Sequence, residues 1–162
     1  MRKGLEAKAH LIVLATGLAN VAVLPLWQLP VAKEVAQGLG YPLFGVGLVL
    51  NVLSVLALKG GIGGEVVPVT DLVTSGIYAW LRHPMYTGFA MTMLGLDTLL
   101  GSASGTLTTF FAFLPSMVWR ARLEERALAR HFGQTWESYA ERVPSLLLWD
   151  CRTRKNFLTR RR

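Results

Sequence analysis

The sequence predicts an all-α integral membrane protein with about four transmembrane helices. Apolar residues make up 52% of the 162 residues and charged residues 17%, whereas a soluble domain carries about a quarter charged residues. The apolar residues are also gathered into blocks instead of being spread evenly. A chain of this length is expected to form a single domain, here residues 1–162.

Four apolar blocks predict the membrane helices in order. The first two, residues 11–31 and 41–58, approach the roughly 20 residues needed to cross a bilayer. The last two, residues 86–100 and 106–119, are shorter, and the segment GSASG between them predicts an antiparallel helical hairpin. The basic start MRKGLEAKAH resembles a signal peptide, but no clear cleavage site follows. We therefore interpret the first block as a retained membrane helix.

A charged helix is predicted after the fourth block, over residues 121–131, with Gly133 just past its end. It is expected to be a cytoplasmic amphipathic helix. Pro115 predicts a kink within the fourth block. Asp97 falls late in the third block, and we expect it near the far membrane boundary, where hydration offsets the cost of its charge.

The basic residues predict the orientation. Four crossings with the N-terminus inside leave only Lys33, out of 17 Lys and Arg residues, on the outer side. The positive-inside rule then predicts that both termini are cytoplasmic. The net charge is +7, and most of the basic residues follow the last apolar block. This placement favours the flank of a membrane protein over a nucleic-acid-binding surface. With Cys151 as the single cysteine, an intrachain disulfide and a cysteine metal cluster are excluded, and no metal is predicted.

Two polar stretches are candidates for chemistry. The first, TSGIYAWLRHPMYTG at residues 74–88, is explained either by aromatic and Arg anchoring at the interface or by a ligand site. Pro84 disfavours helical geometry at His83, so the backbone there is expected to be open. The second, residues 119–144, carries Glu124 and Glu125 directly after a membrane helix. They either pair with Arg120, Arg122 or Arg126 on a solvated helix, or bind a zwitterionic ligand together with Arg120.

Residues 72–149 resemble the catalytic half of the isoprenylcysteine carboxyl methyltransferases and their phospholipid methyltransferase relatives. The resemblance rests on TSGIYAWLRHPMYTG, on the EE of RLEERALARHFG, and on WESYAERVP, in that order. It implies S-adenosyl-L-methionine as cofactor, with S-adenosyl-L-homocysteine as product. The residues implied to contact the cofactor are Leu72, Val73, Tyr78, His83, Pro84, Met85, Tyr86 and Glu124. Arg120 is implied to orient the substrate.

The segment LFGVGLVLNVLSVLALKGG resembles the glycine-containing membrane helix of phosphatidylethanolamine methyltransferases. Gly45 and Gly47 would match a GxG assigned to cofactor binding, and the alternative is close helix packing through small residues. One departure stands before LVTSG, where the family's His is replaced by Thr70. Cofactor contacts at Thr70 and Asp71 are therefore in doubt.

The resemblance implies methyl transfer to a lipophilic or membrane-accessible acceptor. The acceptor is left open among a prenylcysteine-like carboxylate, a phospholipid amine and a small thiol. Residues 1–58 are then the first two membrane helices, residues 59–149 the cofactor-binding half, and residues 150–162 a basic tail. Two alternatives stay open: a nicotinamide-dependent sterol-reductase-like enzyme, and a non-catalytic membrane binding module. The oligomeric state is not predicted.

Overall fold

The computed structural model describes residues 3–58 and 71–145. Thr70, the connector at residues 59–69, Cys151 and the basic tail lie outside the described residues. The described part is helical, as predicted, with one isolated bridge between Gln28 and Ser102. The helices are α1 (Lys3–Val23), α2 (Lys33–Ala57), α3 (Pro84–Leu99), α4 (Ala103–Thr108), α5 (Leu114–Phe132) and α6 (Gln134–Arg142).

The first helix ends earlier in the chain than predicted. It begins at Lys3 and ends at Val23, whereas the apolar block continues to residue 31. Pro25 explains the difference, because proline lacks a backbone N–H and disfavours helical geometry in the residue before it. The second helix begins at Lys33, earlier than the apolar block, and continues through Pro42.

Helix α2 is the one described helix that is long and apolar enough to cross a membrane, while the apolar part of α1, Ala7–Val23, is shorter. Helix α3 is followed by α4 after a short turn in which Gly101 has a φ of 60°. Four membrane crossings and a membrane-embedded hairpin remain predictions. The membrane orientation likewise remains a prediction.

Helices α2 and α3 pack closely through glycine. A Cβ placed on Gly47 would lie 2.5 Å from the Thr92 Oγ1 and 2.7 Å from the Gly88 carbonyl oxygen. A Cβ on Gly95 would lie 2.5 Å from the Phe44 nitrogen. Small residues let helix backbones approach in this way. The beginning of α3 is thereby held against the second half of α2.

A π-helical segment, Thr109–Phe113, joins α4 to α5, and Pro115 is the second residue of α5. This irregularity lies where the proline predicted a kink. π-helical turns occur mostly as single-turn bulges inside α-helices. Beyond it, α5 continues to Phe132 and stops at Gly133, whose φ of 52° suits glycine. That helix end is confirmed.

Asp97 does not lie in a hydrated boundary position, so that prediction was wrong. It is 1% exposed, and its Oδ2 accepts a 2.7 Å hydrogen bond from the Thr109 hydroxyl. The Asn20 amide donates to the same Thr109 oxygen at 2.7 Å. Burial against α1 and the π-helical segment therefore replaces water with side-chain partners.

Helix α6 folds back on α5 around an apolar cluster formed by Leu128, Trp136, Tyr139 and Val143. The chain then turns, and the Arg82 N–H donates to the Pro144 carbonyl at 2.8 Å. The His83 N–H donates to the Ser145 carbonyl at 3.2 Å. The segment that follows α6 is thus bound to the segment that precedes α3.

Candidate active site

The candidate site is built on an irregular segment between α2 and α3. A 3-10 turn, Gly76–Ala79, begins at Gly76 with a φ of 62°. His83 has φ −125° and ψ 59°, so it lies outside the helix and Pro84 opens α3. The non-helical backbone predicted at His83 is confirmed. His83 and Tyr86 then stack with ring centroids 5.3 Å apart.

Glu125 joins three parts of the chain. Its Oε1 lies 3.0 Å from an Arg82 guanidinium nitrogen and 3.2 Å from the His83 Nε2. The Ser145 hydroxyl donates to the same oxygen at 2.8 Å. Burial alone would raise the pKa of Glu125, but the His83 hydrogen bond and the His83 and Arg82 charges lower it overall. Glu125 is therefore held as a carboxylate.

Glu124 points to a different residue of the same segment. The Tyr86 hydroxyl donates to the Glu124 Oε2 at 2.7 Å. The Tyr86 hydroxyl also contacts the Arg120 side chain. Arg120 is 7% exposed, whereas Arg122 is exposed. The placement of Arg120 and Glu124 on one helix face, away from Arg122, is confirmed.

Two tyrosines border these carboxylates. The pKa of Tyr78 is raised to about 12 by burial, with Glu124 and Tyr139 adding to the rise and a hydrogen bond with Ser54 opposing it. The pKa of Tyr139 is also raised to about 12, mainly by burial. The Tyr139 hydroxyl donates to the Tyr78 carbonyl at 2.7 Å. Both phenols therefore stay protonated at neutral pH.

The remaining predicted contact residues occupy varied positions. Leu72 packs against the apolar cluster between α5 and α6. Pro84 is fully buried, while Val73 and Met85 are partly buried. Their cofactor contacts stay predictions.

The two glycines of α2 differ. Gly47 packs against α3, as the close-packing interpretation expects. A Cβ on Gly45 would meet no atom of the described chain within 4 Å. Helix packing therefore accounts for Gly47 and not for Gly45.

The partners of Glu125 were not predicted from the sequence. A solvated helix would pair Glu125 with Arg120, Arg122 or Arg126, and the structure instead shows Arg82 and His83 as its partners. Neighbouring positions on a helix point about 100° apart, so the adjacency of the two glutamates could have indicated that they have different partners. Ser54, next to Tyr78, carried no such signal.

The cluster combines cations, carboxylates and phenols at one end of a helical bundle. Such a set can bind a zwitterion, with a carboxylate facing an ammonium and a guanidinium facing an anion. An apolar helix long enough to span a bilayer leads into this end. The described chain is thus a helical bundle with one helix apolar enough to cross a membrane and a cluster of polar side chains at one end.

Comparison with known proteins specifies the class. The family model described as phospholipid methyltransferase matches residues 34–135, and the chain belongs to this family. The chain is 42% identical over 74 residues to a protein-S-isoprenylcysteine O-methyltransferase of Schizosaccharomyces pombe, covering 46% of this chain and 31% of the relative. It is 37% identical over 78 residues to the Homo sapiens protein of that name, covering 46% of this chain and 26% of the relative.

The third relative is protein-S-isoprenylcysteine O-methyltransferase B of Arabidopsis thaliana, which is 34% identical over 74 residues. The match covers 46% of this chain and 38% of that relative. The chain thus matches well under half the length of these curated relatives. No solved structure matches the chain.

Proposed function

We propose that this protein transfers a methyl group from S-adenosyl-L-methionine to a lipophilic acceptor at the membrane surface. One observation carries the proposal: adjacent glutamates on α5 each bind a different residue of the RHPMY segment. Tyr86 donates to Glu124 at 2.7 Å, and His83 lies 3.2 Å from Glu125. Two of the three motifs on which the family resemblance rests are therefore in direct contact, which supports a shared site.

The donor set fits a zwitterionic sulfonium cofactor. Glu124 is partly buried and accepts a hydrogen bond from Tyr86, and a carboxylate can accept about four. It is therefore suited to hold the cofactor's ammonium group. The charge of Glu124 acts on both Tyr78 and Tyr86, and His83 stacks on Tyr86, so all three residues lie near it. Glu125 has a different task, because it orients His83 and Arg82 and does not need to touch the cofactor.

Arg120 is the residue that we assign to the acceptor. Its guanidinium is buried, contacts Tyr86 and lies on the helix face of Glu124. Burial from water strengthens its attraction for an anionic group. A planar guanidinium binds a carboxylate with two hydrogen bonds. An acceptor whose nucleophile is a carboxylate oxygen therefore suits Arg120 best, as the names of the relatives also suggest.

The cofactor supplies a methyl group on an already activated sulfonium leaving group. The chain's residues then have to align the acceptor with that methyl group and exclude water, which supplies much of the rate. A carboxylate nucleophile needs no general base. Arg120 would hold the carboxylate and Glu124 would keep the cofactor's amino-acid end in place.

The direct test combines binding with turnover. Calorimetry in detergent measures S-adenosylhomocysteine binding to the full chain, with a nicotinamide nucleotide as the alternative ligand. The same preparation is incubated with S-adenosylmethionine labelled in its methyl group and a membrane lipid extract. We expect S-adenosylhomocysteine to bind and label to enter an organic-soluble product.

Two results would contradict the proposal. Binding of the nicotinamide nucleotide without S-adenosylhomocysteine would favour the reductase alternative. Absence of binding by either ligand to a folded preparation would favour the non-catalytic module.

A further inference from the structure

A groove of about 440 Å³ lies at the end of the α2–α3 pair opposite to the candidate active site. The first turns of α2 form one wall and the last turn of α3 the other. The segment between α1 and α2 closes the end. No function is assigned to this end of the protein by the family resemblance.

The groove has fixed walls. The Leu29 N–H donates to the Gly101 carbonyl at 2.8 Å, and the Ala103 N–H donates to the Trp27 carbonyl at 2.9 Å. These bonds hold the α1–α2 segment on the turn after α3. On the other side, a Cβ on Gly40 would lie 2.6 Å from the Leu99 Cγ, so α2 and α3 meet closely there.

The chemistry of the groove changes along its length. Lys33, Gln37 and Tyr41 follow one another at intervals of four residues on the lining side of α2. They present an ammonium, then an amide, then a phenol, over about 12 Å at 1.5 Å per residue. Leu96 and Leu99 form the facing wall. A molecule that suits both walls has an anionic head and polar linkages for α2 and an aliphatic chain for α3.

The charge of the groove favours an anion. Among the described lining residues, Lys33 is the one with a charged side chain. Its neighbour Glu34 is exposed and does not line the groove. Two exposed aromatic side chains at this end are typical of a membrane–water interface, since Trp27 is 57% and Tyr41 60% exposed. Tyr and Trp concentrate at headgroup depth in membrane proteins.

We propose that this groove binds one phospholipid with an anionic headgroup. Its phosphate would lie at Lys33, its linkages at Gln37 and Tyr41, and one acyl chain along Leu96 and Leu99. The proposal rests on α2 being a membrane helix and not on methyl transfer. The bound lipid is not the methyl acceptor, because the groove and the candidate active site lie at opposite ends of α3.

Native mass spectrometry of the full chain in detergent tests the proposal without cofactor. Phosphatidylglycerol and phosphatidylcholine are titrated separately, and inorganic phosphate is added as a competitor. The variants are Lys33→Glu and Tyr41→Phe, with Lys8→Glu, an exposed lysine on α1, as the matched control. Thermal unfolding of each preparation verifies its fold.

We expect one phosphatidylglycerol to be retained preferentially over phosphatidylcholine. Lys33→Glu should weaken its binding by roughly tenfold or more, the effect of losing a hydrogen bond to a charged group. Tyr41→Phe should weaken it less, and Lys8→Glu should leave it unchanged.

Equal retention of both lipids, or equal phosphatidylglycerol binding by Lys33→Glu and Lys8→Glu, would overturn the proposal. Complete displacement of the lipid by inorganic phosphate would also overturn it, because the aliphatic wall would then contribute nothing.

Discussion

Tyr86 and Glu124 are 38 residues apart in the chain, yet the Tyr86 hydroxyl donates to a Glu124 carboxylate oxygen at 2.7 Å. The bond connects the first turn of α3 with the middle of α5. Arg120 contacts the same hydroxyl, so one phenol lies between a carboxylate and a guanidinium. The residues assigned to the cofactor and to the acceptor are therefore direct neighbours through Tyr86.

Replacement of Glu124 tests the assigned ammonium site. Glu124→Gln should weaken S-adenosylhomocysteine binding by roughly 1.5–3 kcal/mol, the range for a hydrogen bond to a charged group. Calorimetry in detergent measures the change. Glu34→Gln, an exposed carboxylate on α2, is the control and should bind normally. Unchanged affinity in folded Glu124→Gln would show that Glu124 does not bind the cofactor and is an ordinary polar residue on the surface of α5.

Arg120 and Arg122 form a matched pair for the acceptor role. Arg120→Lys keeps the charge but loses two-point recognition of a carboxylate, so turnover should fall by roughly tenfold or more. S-adenosylhomocysteine affinity should change little. Arg122 is exposed, and Arg122→Lys should retain near-normal activity. Equal activities of the two variants would refute the assignment, and lost cofactor binding would move Arg120 into the cofactor site.

The lowered pKa of Glu125 predicts a pH-dependent contribution to stability. Because the folded-state pKa lies below its ordinary value of 4.5, the contribution is present above about pH 4.5 and is lost as the pH falls through the folded-state pKa. Wild type should therefore unfold at a higher temperature than Glu125→Gln at neutral pH. The difference should shrink on acidification below pH 4.5.

Thermal unfolding in detergent across this pH range measures the effect. Glu34→Gln is again the control and should follow wild type throughout. A Glu125→Gln variant with wild-type stability at every pH would show that the Arg82 and His83 contacts do not stabilise the folded chain.

The two glycines of α2 predict opposite outcomes for one substitution. Gly47→Ala should destabilise the protein by about 1–3 kcal/mol, because its Cβ would press on Thr92 and the Gly88 backbone. Gly45→Ala has space for its Cβ within the described chain and should be at least as stable as wild type, because alanine favours the helix over glycine. Denaturation in detergent compares them. Reduced S-adenosylhomocysteine binding by stable Gly45→Ala would support the cofactor role of Gly45, whereas equal stability of the two variants would contradict the packing argument.

The orientation predicted from the basic residues is testable in cells. A reporter fused to the C-terminus should give a cytoplasmic signal, because the positive-inside rule places that end inside. Labelling of Cys151 from the two sides of the membrane provides an independent readout. An external C-terminus would be incompatible with a site that takes its cofactor from the cytosol.

Local features of the structure were predictable from the sequence. Gly133 ends α5 because glycine adopts positive φ without a steric clash, and Pro84 opens α3 because proline fixes its own φ and needs no N–H partner in the first turn. Arg120 and Glu124 share a helix face because helical spacing alone brings residues four apart together. The early end of α1 before Pro25 could have been predicted by the same reasoning, but the apolar run obscured it.

Asp97 shows where local reasoning failed. Its apolar neighbours and its distance along α3 predicted a hydrated boundary position. The structure buries it beside Thr109, which in turn accepts a bond from Asn20 on α1. That contact depends on how three helical segments rotate and pack against one another. The residue pattern of a single helix does not predict such packing.

The sequence by itself determined the apolar composition, the helix end at Gly133, the three motifs and the family that they resemble, because each depends on residues close together in the chain. Only the tertiary structure decided which residues each glutamate contacts. Glu124 binds Tyr86, and Glu125 binds Arg82 and His83. The physical reason is that adjacent residues of a helix point about 100° apart. Once α3 packs against α5 in one orientation, the two carboxylates therefore contact different partners.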